Sequence, residues 1–145
     1  MPTTIGKPYS VDWHGAPPHM LTPDIPVWYR WLEKYQTYVK TLWYDVLLGG
    51  PFLDSEEMKD PFNRMWRYNN AKRADAIVET ETELLIIEVS DDPGLRAVGQ
   101  LQVYQTLWIE DPVINKPEKL LLVCGRIDPD VGAACGRFGI LLYVV

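Results

Sequence analysis

The chain has 145 residues, 47% of them hydrophobic, 12% aromatic and 23% charged, a length and composition that suit one globular domain with an apolar core and exclude disorder throughout. Its formal charge of −6 excludes a surface that holds nucleic acid by a general excess of Lys and Arg, leaving only a local basic site. Cys124 and Cys135 lack the spacing of a zinc site or a disulfide framework, no apolar run reaches the roughly 18 residues of a membrane span, and no secretory leader is visible, so a soluble protein of a reducing, cytoplasmic setting with no membrane partner is expected.

Residues 1–26 hold six prolines and little periodic hydrophobicity, which predicts an extended N-terminal arm ahead of a single domain over residues 27–145. Tyr9, Val11, Trp13, Met20 and Leu21 give the arm apolar surface to bury, on its own domain or on another protein subunit; composition does not separate the two. From Val27 to Leu48 apolar residues recur at three-and-four spacing, which predicts one long amphipathic helix closed by Gly49-Gly50. A connector over residues 51–62 follows, then strands near Arg64–Tyr68, Arg73–Glu79 and Leu84–Val89 that read as an antiparallel meander. Asp91, Asp92 and Pro93 open a helix from about Gly94 to Ile109, with its apolar face on Ala97, Leu101, Tyr104 and Trp108. Leu120–Cys124 and Phe138–Val145 are apolar enough to be interior strands, and residues 125–136 between them are a loop with room for one helical turn. The sum is an α/β sandwich with a mixed sheet.

The chemistry follows from one turn. A tight connection centred between Glu81 and Thr82 pairs residues whose numbers sum to 163, which sets Asp75 opposite Glu88. Opposed residues of an antiparallel pair have Cα atoms about 4.5 to 5.5 Å apart, close enough for both carboxylates to share one divalent cation. Without a cation they repel, so the placement suits a metal, a basic partner or open water.

The stretches Arg73-Ala74-Asp75-Ala76-Ile77-Val78, Leu85-Ile86-Ile87-Glu88-Val89-Ser90 and Gly99-Gln100-Leu101-Gln102-Val103-Tyr104 resemble, in order and spacing, the motifs of the PD-(D/E)XK nuclease-like superfamily. The resemblance implies a restriction-endonuclease-like α-β-β-β-α-β core, a mixed sheet flanked by helices. It implies Asp75 and Glu88 as ligands of magnesium or manganese, with the Val89 carbonyl as a third, and Gln100 and Tyr104 facing the site from the helix. Ser90 stands where the motif has its lysine, and a neutral hydroxyl is neither a cation nor a useful base at neutral pH. Arg73 and Arg96 fall near the site but stay protonated and do not replace that lysine as a base. Arg64, Arg67, Lys72 and Arg73, interleaved with Trp66 and Tyr68, form either a surface for phosphates and bases or a solvated hairpin edge. His14 and His19 lie in the arm without further metal ligands nearby and read as loop histidines.

Two functions are therefore expected. The first is a catalytically impaired nuclease fold serving as a structural or binding component of a viral particle or nucleoprotein assembly, in host cytoplasm or virion, with partner subunits held through the arm. The alternative is an active Mg- or Mn-dependent deoxyribonuclease. An unrelated α/β binding domain is the third case.

Overall fold

Five strands form one mixed sheet in the order β1 (Thr41–Leu48), β2 (Lys72–Glu79), β3 (Leu84–Ser90), β4 (Glu118–Cys124) and β5 (Ile140–Val144). The first three are antiparallel neighbours; β4 runs parallel to β3 and β5 parallel to β4. In this structure, a computed structural model, residues 3–145 are described, so Met1 and Pro2 of the expected arm lie outside it.

Helix α1 (Ile25–Tyr35) covers one face of the sheet with Val27, Trp28, Trp31 and Leu32, which pack among Leu42, Tyr44, Ala76, Val78, Ile87 and Val89. Helices α3 (Leu95–Glu110) and α4 (Pro129–Arg137) cover the other face, where Leu101, Tyr104, Trp108 and Cys135 meet Ile77, Leu84, Ile86 and Leu122. The chain is thus a three-layer α/β domain whose central strands are buried on both faces. Such strands read as continuous apolar runs rather than alternations.

That property explains the main correction. The helix expected over residues 27–48 ends at Tyr35, and Thr41–Leu48 is β1. A run of buried strand residues also satisfies three-and-four spacing, so periodicity alone does not separate the two. The strand expected at Arg64–Tyr68 is instead part of α2 (Pro61–Asn70), a helix between β1 and β2. Its start is marked by Asp60, whose side chain accepts from the Phe62 amide, and by Pro61 in the first turn. The loop over residues 125–136 holds α4, capped by Asp128 on the Asp130 and Val131 amides. The meander is therefore β1-β2-β3, with α2 inserted.

Among the described residues the arm has no helix or strand before residue 22, but it bonds to β1, the sheet's edge: Thr4 and Leu47 exchange backbone hydrogen bonds of 2.9 and 3.1 Å, and the Tyr9 amide donates to Leu42 at 2.8 Å. Tyr9, Val11 and Met20 pack on the α1-side core. These contacts occupy an edge that would otherwise be open to another strand.

One irregularity sits where β1 meets the middle of β2. Tyr44 belongs to the α1-side core and Val46 to the α3-side core, although alternate residues of a regular strand share a face. The break is at Asp45, whose φ of 53° is in the left-handed region. Ala76 and Ala74, paired with Tyr44 and Val46, show the same switch around Asp75.

Candidate carboxylate site

The β2–β3 register pairs Ala76 with Ile87, Ile77 with Ile86 and Val78 with Leu85, the sum of 163 expected from the turn. One step further lie Asp75 and Glu88, whose carboxyl groups are hydrogen-bonded to each other. Asp75 Oδ2 also accepts from the Val89 amide at 2.8 Å, and Glu88 Oε2 accepts from the Tyr104 hydroxyl at 3.2 Å. Tyr104 reaches Glu88 because α3 crosses the same face of β3, with Leu101 one turn earlier in the core.

Glu88 is only 7% exposed, and among the described residues no Lys or Arg forms an ion pair with it or with Asp75. Burial pushes the Glu88 carboxyl far above the ordinary glutamate range, and the neighbouring Asp75 carboxyl pushes it further. Burial raises Asp75 as well, against the Glu88 and Val89 hydrogen bonds, with the charges of Asp24 and Asp45 adding to the rise. The free pair therefore retains a proton that ordinary carboxyls lose at neutral pH.

The pair opens onto a cavity of 410 Å³ lined by Asp75, Glu88, Val89 and Ser90 on the strands and by Arg96 and Gln100 on α3. His19 and Asp24, from the arm and the turn before α1, close its other side. Asp24 does not cap α1; its carboxylate accepts from the Asp91 amide at 2.8 Å, tying that turn to the end of β3. A larger cavity of 490 Å³ at the opposite end of the hairpin is walled by Trp31, Tyr35, Tyr38 and Tyr143, and none of Asp75, Glu88, Ser90, Gln100 and Tyr104 lines it.

The expected residues thus separate into two groups. Asp75, Glu88, Val89, Ser90, Gln100 and Arg96 line one cavity, with Tyr104 bonded to Glu88 behind it. The basic group is dispersed. Arg64 and Lys72 are exposed, Arg67 is buried within reach of the Asp111 charge, and Arg73 is bound to Asp45 at 2.8 Å and lies over the Tyr68 ring. The large side chains of α2 that face solvent include Phe62, Met65, Trp66 and Tyr68.

Sequence reasoning missed His19 and Asp45. His19 Nδ1 lies 2.9 Å from Asp45 Oδ2, and these are the two non-glycine residues with positive φ, 61° and 53°, among those described. Asp45 had a signal, being one acid inside the apolar run Thr41–Leu48; His19 had none, since only the folded arm brings it to the cavity.

Among the described residues no group of three or more His, Cys, Asp and Glu side chains is arranged to hold a metal ion, and no helix is long and apolar enough to cross a membrane. No family model, no curated protein and no solved structure matches this chain.

Proposed function

We propose that the chain is a divergent member of the PD-(D/E)XK nuclease-like superfamily, and that Asp75 and Glu88 form a site for magnesium or manganese at which a DNA phosphodiester is hydrolysed. The observation that carries this reading is a mutually bonded pair of carboxyls, Glu88 buried and Asp75 partly so, with no ion-paired Lys or Arg among the described residues, placed at the wall of an open cavity. A structural sheet gains nothing from such a pair, and a divalent cation turns its repulsion into attraction. The order of helix, three antiparallel strands, helix and parallel strand supports the same reading.

The donors suit magnesium. That ion keeps several waters and is held by one or two carboxylates plus substrate phosphates, so a third protein carboxylate is not required. Asp75 and Glu88 would hold it, with the Val89 carbonyl beside them. Bound there, the ion would offset charge on the phosphate and ease attack by water. Tyr104 fixes the Glu88 carboxyl by its hydrogen bond, and Arg96 and Gln100 offer donors to phosphate oxygens from α3. Arg64, Lys72 and the exposed Trp66 supply phosphate and base contacts outside the cavity.

Plasmid and single-stranded DNA incubated with the protein in magnesium or manganese test this. Cleavage is expected that EDTA stops and Glu88→Ala removes. Absence of both cleavage and metal binding in the folded protein would overturn the reading. Ser90 favours a second one, in which the fold binds DNA in an assembly without cutting it; then Ser90→Lys, which restores the motif lysine, confers cleavage the parent lacks.

A further inference from the structure

We propose that His19, oriented by Asp45, is the general base of this site and takes the place of the missing motif lysine. The inference rests on the proposed nuclease reading and adds a residue from outside the superfamily's motifs.

Asp45 is the acceptor of this pair, since Arg73 Nη1 donates to both its oxygens at 3.0 and 2.8 Å. The His19 nitrogen that faces it, Nδ1, therefore carries the hydrogen and donates at 2.9 Å. The tautomer is thereby set, and Nε2 keeps its lone pair on a ring that lines the carboxylate cavity and is 56% exposed. An acid that fixes the tautomer of a histidine facing a reacting centre is the arrangement by which a weak base is made ready.

Both residues hold left-handed backbone conformations, uncommon outside glycine although Asp and His adopt them more often than most residues. For Asp45 the conformation also breaks the face alternation of an otherwise regular strand. Strain of this kind persists only where the surrounding structure holds it, and it gathers at functional sites. Here its product is one hydrogen bond beside two carboxyls.

The other candidate bases on the cavity wall are unsuited or engaged. Ser90 has no lone pair basic enough, Arg96 stays protonated, Asp75 and Glu88 are taken as ligands, and Asp24 is held by the Asp91 amide at 2.8 Å. The charges that surround His19 are those of Asp24, Asp75, Glu88 and Arg96 across the cavity, and of Asp45 with Arg73 behind it. Tyr68 of α2 approaches edge-on, with ring centroids 6.4 Å apart.

In the step, the oxygen of an attacking water forms a bond to phosphorus while its proton passes to His19 Nε2. The bond from phosphorus to the leaving ester oxygen breaks, its electron pair stays on that oxygen, and the oxygen takes a proton from solvent. The imidazolium returns its proton to solvent, so diester and water become phosphomonoester and alcohol.

The backbone supplies unusually clean variants. Glycine accepts positive φ without cost, so His19→Gly removes the imidazole and leaves the arm's path intact; Asn is tolerated there too, so Asp45→Asn keeps the strand. Plasmid cleavage by His19→Gly in manganese should fall about 10²-fold to 10⁴-fold and recover with added imidazole. The parent's rate should fall in acid, a limb that His19→Gly lacks without imidazole and Asp45→Asn alters. Binding of a fluorescein-labelled DNA duplex in calcium should be unchanged in His19→Gly and lost in Asp75→Ala.

Parent-like cleavage and pH profile in His19→Gly would overturn the proposal and leave the nuclease reading standing. So would a parent that binds metal and DNA but cuts only as Ser90→Lys. A parent that binds neither metal nor DNA would remove the nuclease reading, and His19 with it.

Discussion

The β2–β3 hairpin carries acids at both ends and treats them in opposite ways. At the turn end, Glu79 meets Lys116 Nζ at 2.8 Å and the Thr41 hydroxyl at 3.0 Å, and these partners hold its carboxyl below the ordinary range. At the open end, Asp75 and the buried Glu88 are bonded to each other, and their carboxyls are held above it. The same fold that places a lysine on one acid leaves the other two to share a proton. The first end is arranged for stability of the chain by itself, the second against it. Such a cost is expected where charge is to be supplied by something that binds.

Metal gives the sharpest test of that contrast. Magnesium should raise the unfolding temperature of the parent and not of Glu88→Gln, with affinity by titration calorimetry lower by at least about 100-fold, roughly 2.7 kcal/mol. Because the pair must lose its proton for a cation to enter, binding should release protons and tighten as pH rises. Equal magnesium responses in parent and variant would mean that the open end is no metal site.

Without metal the sign reverses. The folded Glu88 carboxyl titrates above the ordinary value of 4.5, so its contribution to stability is fully present below that value and is lost as pH rises through the folded one. In EDTA, Glu88→Gln should therefore match the parent near pH 4.5 and exceed it at pH 8 by about 1–2 kcal/mol in urea unfolding. A variant less stable than the parent at pH 8 would show the charged pair to be satisfied by the protein alone.

How far the sequence discloses this depends on how local each cause is. The turn at Glu81-Thr82 fixes the register of its two strands, and with it the meeting of Asp75 and Glu88, because both depend on a few adjacent residues. The period of α3 places Gln100 and Tyr104 on the site side for the same reason. The fate of Thr41–Leu48 was not legible, since burial on both faces erases the alternation that marks a strand. Helix α2 was hidden because Phe62, Met65 and Trp66 face solvent, so its pattern does not report a core. His19 depends on about twenty residues of arm folding back along β1, a contact no local pattern encodes.

The smallest effect tests the turn end. Lys116 also donates to the Thr80 carbonyl at 2.7 Å, and its side chain and that of Glu79 are 19% and 16% exposed, so solvent screens the pair only in part. Lys116→Met should cost about 0.5–1 kcal/mol at pH 7. Glu79 titrates below the ordinary value when folded, so the stabilisation that Lys116 adds is present above that value and fades as pH falls through the folded one. The cost of Lys116→Met should therefore shrink in acid, whereas the gain from Glu88→Gln grows in base. If both variants instead followed pH in the same direction, the two ends of the hairpin would not differ as their hydrogen bonds indicate, and the open pair would be an ordinary surface feature of the sheet.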